Sequence, residues 1–140
     1  MTTVVAAVIE RDGRILICQR KPDQLHPLKW EFPGGKVEAG ESAPGALLRE
    51  LREELDIAAG IGDEITRYEY RYPERKPILL IFYRVTRFTG EPRNLVFERV
   101  AWERPEALPA YDFLEGDVEF VRRLAAGGFT PERRRPESAP

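Results

Sequence analysis

Apolar positions along the 140-residue chain change their period several times, and each change marks an element. Residues 4–10 and 14–19 are short runs of β-branched and aliphatic residues separated by Arg11-Asp12-Gly13. An Asp-Gly between two such runs predicts a tight hairpin, because both residues tolerate the positive φ of a two-residue turn. Residues 21–28 lose the pattern and read as a polar, proline-containing loop. Trp30-Glu31-Phe32 predicts a short strand that Pro33-Gly34-Gly35 ends, since Pro and Gly interrupt regular structure. Over residues 43–55 the period becomes helical, with Leu48, Leu51 and Leu55 on the face expected to pack on the sheet. Ser42 stands at the N-cap and Pro44 in the first turn, where its missing N–H does no harm. Residues 64–72 and 78–88 predict strands on either side of a proline-bounded turn, and 100–103 one more. Residues 105–108 read as a helical turn, and 116–126 as a closing helix with Phe120, Val121 and Leu124 inward. Strands, helix, strands, helix predicts an α/β (α+β) domain of mixed sheet and at least two helices, with no internal repeat.

Length and composition narrow the classes. The chain has the size of one domain, expected over residues 1–126. After Ala126 it turns rich in Pro, Gly and charge, so 127–140 reads as a disordered tail. Arg133 to Arg135 offer a contact for nucleic acid, but a solvated tail is the reading this composition favours. A net charge of -2 with 33% charged residues argues against a partner such as a nucleic-acid polymer or a membrane. A small anionic ligand remains compatible, held by local cations or a metal. The apolar stretch at 4–9 is too short for a membrane span and lacks a basic flank for a signal peptide. The one cysteine, Cys18, follows Ile15-Leu16-Ile17, which excludes an internal disulfide and fits a reducing, cytoplasmic location. A buried structural thiol is the reading favoured over a catalytic one.

The chemistry concentrates in residues 35–57, GKVEAGESAPGALLRELREELDI. On a helix Glu50, Glu53 and Glu54 stand at i, i+3 and i+4 and project from one side. Like charges at that spacing repel by a few tenths of a kcal/mol per pair, unless a divalent cation sits among them. Carboxylates without His or thiolate point to Mg²⁺, or Mn²⁺, rather than zinc. The plain alternative is a solvated face on which Arg49 and Arg52 balance the acids, with Arg49 and Glu53 paired at i, i+4. The neighbouring residues tip this choice. Gly34-Gly35 lets backbone approach a metal or phosphate closely, and Glu41 lies six residues after Gly35, just ahead of the helix.

This segment resembles the Nudix box, G-x5-E-x7-R-E-U-x-E-E-x-G-U with U aliphatic. Gly35, Glu41, Arg49, Glu50, Leu51, Glu53, Glu54 and Ile57 match it, whereas Asp56 stands where the family has glycine. That position follows the helix end, where Asp adopts the left-handed conformation more easily than most residues, so helix-end stability is affected by about 1 kcal/mol at most. The resemblance covers most of residues 3–126, and Cys18-Gln19-Arg20 followed by Trp30 to Lys36 is similar to the MutT branch. Members of that branch hydrolyse nucleoside triphosphates, among them oxidised dGTP and cytidine nucleotides, to a monophosphate and pyrophosphate.

The resemblance implies an α/β/α sandwich around a mixed sheet. It implies Glu50, Glu53 and Glu54 as metal ligands with the Gly35 (or Gly34) carbonyl, and Glu50 also as the group that orients or deprotonates water. Glu41 and Arg49 are expected to brace loop and helix through an ion pair. Arg20 matches a phosphate contact, against a plain strand-end charge as its alternative; a guanidinium suits phosphate geometry. Glu98 is the nearest further acid for the metal, though its register against Trp102 is not the usual one. Asp117 falls where such proteins use Asn or Asp on the base edge, and a helix cap is its other reading. Tyr72 and Phe32 are candidates to line the base pocket, with core packing equally open for Phe32. His26, in a variable-looking loop, is not expected to be a base. A small-molecule nucleotide is the expected partner, and monomer or homodimer the expected state. ADP-ribose or a dinucleoside polyphosphate as substrate, a non-catalytic nucleotide-sensing domain, and a plain α/β interaction domain are the alternatives.

Overall fold

The hairpin forms as its sequence predicts: β1 (Thr2–Arg11) and β2 (Arg14–Gln19) flank Asp12 and Gly13, both at positive φ, 52° and 77°. The two strands pair only beside the turn, through Glu10 with Ile15 and Arg11 with Arg14. Beyond it they separate. β3 (Trp30–Glu31) pairs with Cys18 and Gln19 of β2, while β4 (Gly34–Lys36) pairs with Val4 to Ala6 of β1. The chain from Trp30 to Lys36 therefore bridges the split, pinned midway by the Ala7 N–H donating to the Pro33 carbonyl at 2.9 Å. Pro33 and the glycines interrupt the expected strand, but pairing resumes at Gly34 on a different neighbour. A one-strand reading of this stretch is corrected on that point.

A computed structural model describes residues 1–129. After β4 come α1 (Ala43–Leu55), β5 (Ala58–Gly60), β6 (Glu64–Tyr70), β7 (Ile78–Val85), β8 (Arg87–Thr89), β9 (Arg99–Glu103) and α2 (Val118–Ala125), with 3-10 turns at Pro105–Ala110 and Glu115–Asp117. Among the described residues a seven-stranded sheet runs β3-β2-β1-β7-β6, with β9 on β2 and β4 on β1. The β1–β7 pair is parallel and the other pairs antiparallel, which makes the sheet mixed. β5 and β8 form a separate small ladder. The strand expected over 78–88 thus breaks at Thr86 and changes partner, and β5 was not foreseen because Ala58-Ala59-Gly60 carries no strand-forming side chain.

Alternation along the central strands fills two cores. Val5, Ala7 and Ile9 with Leu16 and Cys18 face α1, and Ala6 and Val8 with Ile15 and Ile17 face α2 and the 3-10 turns. Each fully buried aliphatic side chain contributes about 1.5–3 kcal/mol relative to exposure. Helix α1 begins on Ser42, whose Oγ accepts from the Gly45 N–H at 3.0 Å, and ends on Asp56 in the left-handed region, φ 57°. Its buried face is Ala46, Leu47, Leu51 and Leu55, while Leu48 is 43% exposed. The expected stripe is corrected by one residue: two adjacent leucines lie about 100° apart on a helix, and only one can face the sheet. Phe120, Val121 and Leu124 of α2 are buried as expected. Residues 127–129, assigned from sequence to the tail, turn back so that Phe129 packs 5.1 Å from Phe120; the rest of that expectation, 130–140, lies outside the described residues. Among the described residues no helix is long and apolar enough to cross a membrane.

Candidate active site

Helix α1 lies over the split between β1 and β2, and this sets its acids against the glycine turn. Glu54 Oε1 accepts the Gly34 N–H at 3.1 Å. A Cβ on Gly35 would fall 2.3 Å from Glu50 Oε2, and one on Gly34 would fall 2.0 Å from the Val5 carbonyl oxygen. Backbone contact requires glycine at Gly34, whereas at Gly35 a side chain would push the Glu50 carboxylate out of its place. Burial pushes the Glu54 carboxyl up to about 9, helped by the negative charges of Glu50 and then Glu31 and opposed by the Gly34 N–H. Two carboxyls are thus forced together with too little positive charge between them.

Glu53 does not join them. It is 56% exposed and turns to Arg49 at 3.4 Å. Arg49 binds Glu41 through two nitrogens at 2.6 and 2.9 Å, Glu50 at 3.2 Å and the Lys36 carbonyl at 3.1 Å, which ties the 36–41 loop to the helix. The Arg49 hydrogen bonds, with the Glu38 N–H, hold the Glu41 carboxyl down at about 2. Among the described residues no three His, Cys, Asp or Glu side chains close a complete metal cage. The open pair Glu50 and Glu54 still suits a hard cation that keeps several waters and needs only one or two carboxylates. Glu98 is exposed just before β9, its N–H on the Gln19 carbonyl at 2.9 Å, and it shares no hydrogen bond or ion pair with the α1 acids.

A cavity of about 470 Å³ runs from Gly35 and Glu54 to Arg20, Phe32, Tyr72 and Asp117. All four residues expected at the substrate line it. Arg20 is already engaged, donating to the Leu25 carbonyl at 2.8 Å and to Glu31 at 3.0 Å. Phe32 is core as much as wall, 5.4 Å from Phe113 and 5.6 Å from Phe120. Tyr72 accepts the Gly116 N–H at 3.0 Å, and its ring lies 4.7 Å from that of His26, tilted by 36°; His26 also lines the cavity. Burial, then Arg20, Arg75 and Lys29, push the His26 imidazole down.

Asp117 is 6% exposed, and its carboxyl neither caps α2 nor has another hydrogen-bond partner among the described residues. The helix-cap alternative is thereby removed. Burial, then the charge of Glu31, pushes this carboxyl up to about 8. Glu31 itself escaped the sequence reading. Its register opposite Cys18 turns it to the α1 side, where burial raises its carboxyl against the pull of Arg20. The signal was an acid between two aromatics in a buried strand, a place that needs a reason.

Crowding carboxylates against a glycine turn beside a substrate-sized cavity is how an enzyme holds a divalent cation against a phosphate, and fold and site together define a hydrolase of phosphoric anhydrides. The NUDIX domain matches residues 1–124, and the chain belongs to the Nudix hydrolase family. It is 38% identical over 126 residues to a CTP pyrophosphohydrolase of Escherichia coli K12, covering 90% of this chain and 93% of that protein. It is 37% identical over 122 residues to an 8-oxo-dGTP diphosphatase of Haemophilus influenzae, covering 86% and 89%. The solution structure of the E. coli ORF135 protein is similar with a TM-score of 0.81 at 36% identity, over 99% of this chain and 95% of that one. Nudix hydrolases generally use divalent cations.

Proposed function

We propose that the protein is a MutT-like nucleoside triphosphate pyrophosphohydrolase that uses Mg²⁺, and that an oxidised guanine or a cytosine nucleotide is its substrate. One observation carries this reading: one cavity runs from Glu54 and the glycine turn beside it to a buried Asp117 that has no hydrogen-bond partner among the described residues. A triphosphate needs the first end and a nucleobase the second.

Glu50 and Glu54 would hold the cation, which when bound would neutralise charge on the phosphate oxygens and acidify water. The chain's own groups do the rest. Glu50, fixed between Arg49 and Gly35, orients the attacking water and accepts its proton. The water oxygen bonds to phosphorus, the bond to the pyrophosphate oxygen breaks, and monophosphate and pyrophosphate leave. Glu53, paired with Arg49 in this structure, would be the further carboxylate for the cation, and Arg20, which lines the cavity, steadies phosphate. The exposed Glu98 has the weakest claim to a metal contact.

A carboxyl raised to about 8 is protonated at neutral pH, so Asp117 offers an O–H donor beside a C=O acceptor. Cytosine presents an acceptor and a donor side by side, and so does 8-oxoguanine at O6 and N7–H. On the same N7–O6 edge intact guanine presents two acceptors, which leaves the Asp117 carbonyl oxygen facing a lone pair, so the oxidised base is favoured where the pose uses that edge rather than O6 and N1–H. Tyr72 and His26 supply the aromatic wall. The test is pyrophosphate release from purified protein with Mg²⁺, across the common triphosphates, 8-oxo-dGTP, 5-methyl-dCTP, ADP-ribose and diadenosine tetraphosphate. Rapid release from one oxidised or cytosine triphosphate is expected. Silence on every triphosphate, with Mg²⁺ and with Mn²⁺, overturns the proposal.

A further inference from the structure

Asp117 has no side-chain partner among the described residues, so its aim is set by the backbone that carries it. That backbone is gripped from both sides of Gly116. The Tyr68 hydroxyl donates to the Gly116 carbonyl at 2.6 Å, and the Gly116 N–H donates to the Tyr72 hydroxyl at 3.0 Å. The grip leaves no slack: a Cβ at Gly116 would lie 2.8 Å from the Tyr72 Oη and 3.2 Å from Tyr70 Cδ2. Tyr68 is seated in turn, its ring stacked 5.9 Å from Phe82 in the core beneath the sheet. It does not border the nucleotide cavity; it borders a neighbouring cavity of about 330 Å³. Both hydroxyls are pushed up, burial being the largest cause, so the grip persists through any neutral or mildly basic assay.

We propose that Tyr68 is a positioning residue for base selection, holding Gly116 against Tyr72 so that the Asp117 carboxyl meets the base edge at the right angle. This rests on the reading of Asp117 as the base contact. Tyr68 acts without touching substrate, because the peptide it holds is the one that joins Gly116 to Asp117. A hydrogen bond to a backbone carbonyl fixes direction, and a shift of a few tenths of an ångström at that peptide is carried straight to the carboxyl.

The experiment is a double-mutant cycle of Tyr68→Phe with Asp117→Ala, read as kcat and KM on the best and the worst triphosphate of the substrate screen. Tyr68→Phe keeps the ring on Phe82 and removes only the donor. Its selectivity ratio is expected to fall about fivefold or more, carried by KM on the best substrate, with kcat within about twofold. In the Asp117→Ala background the same change is expected to have no further effect, which a loss of general stability would not reproduce. Gly116→Ala, which displaces Tyr72 from the other side, is expected to lower the ratio likewise. An unchanged ratio in Tyr68→Phe, or an equal drop in both Asp117 backgrounds, overturns the inference. If Asp117→Ala itself leaves selectivity intact, it is the base-contact reading that fails.

Discussion

The acids in and beside one end of the cavity, Glu54 with Glu50, come from a single helix, whereas the groups at the other end come from four separate places: Arg20 and His26 after β2, Glu31 and Phe32 at β3, Tyr72 after β6, and Asp117 before α2. The first end is local. Helical periodicity and one ion pair between Arg49 and Glu41 are enough to place it. The second end exists only once the sheet has brought distant segments together, and it holds the buried charged residue of the described chain, Asp117. A local site is held by propensity and capping, an assembled one by tertiary packing, and the two are expected to fail differently when changed.

The largest expected effect is at the local end. Glu54→Gln keeps the size of the side chain and its bond to the Gly34 N–H, but loses the charge that holds a cation. Metal-dependent hydrolysis is expected to fall by at least about a hundredfold, since even residues behind the ligands cost that much in metal sites. Its melting temperature without metal is expected to stay close to that of the unchanged protein at neutral pH, because a carboxyl raised to about 9 already holds its proton there and is as uncharged as the glutamine. Mg²⁺ at a hundred times its Kd is expected to add about 2.7 kcal/mol to the unchanged protein and nothing to the variant. Turnover close to that of the unchanged protein breaks the assignment of this end.

Next in size is the brace. Glu41→Gln removes the paired hydrogen bonds to Arg49 and is expected to lower kcat about tenfold while KM holds, because Arg49 then fixes Glu50 less well. The Glu41 carboxyl lies at about 2, below its ordinary value of 4.5. Its contribution to stability is therefore complete above that ordinary value and is lost only as pH falls toward 2. The difference in melting temperature between the two proteins should stay constant from pH 6 to 9. A difference that moves within that window contradicts the brace as described.

These two positions were legible in the sequence, along with the hairpin, the span of α1 and its cap, because each is written in consecutive residues. Leu47 and Leu48 could not be told apart by period alone, and the β5–β8 ladder has no pattern of its own. Glu31 and the tyrosine grip on Gly116 were invisible for a different reason. A residue opposite Cys18 in the sheet, or a hydroxyl that finds a backbone carbonyl 48 positions away, has no signature until the register is known. Arg20, Tyr72 and Asp117 were reached through family resemblance, and the structure brings all three to one cavity.

At the assembled end the expected effect is read in stability rather than in turnover, and it depends on pH in the opposite direction. Asp117 has a carboxyl raised from 3.8 to about 8 in the folded chain. The folded state binds that proton more tightly, so stability relative to an uncharged variant is greatest below the unfolded value and is lost as pH rises through about 8. Asp117→Asn is therefore expected to match the unchanged protein near pH 4 and to melt progressively higher than it up to pH 8, with no further gain beyond. Differential scanning fluorimetry across that range is sufficient. A flat difference would mean that the carboxyl is not raised by burial, and that the two ends are more alike than their surroundings imply.

The smallest effect expected is at Asp56, where the local end departs from its family pattern. Its φ of 57° is one that glycine adopts without strain, so Asp56→Gly relieves about 1 kcal/mol at most. Asp56 has its own compensation, however, in ion pairs with Arg93 at 3.3 Å and Arg52 at 3.7 Å. Such exposed pairs contribute about 0.2–1 kcal/mol, which offsets the strain. The two proteins should therefore melt within a degree or two of each other at low salt. Added NaCl screens the ion pairs and leaves the backbone preference untouched, so the glycine variant should gain on the unchanged protein as salt rises. Activity should not change, because Asp56 touches none of the acids. If the difference ignores salt, the arginines contribute nothing, and the departure from glycine at this helix end has no compensation in the fold.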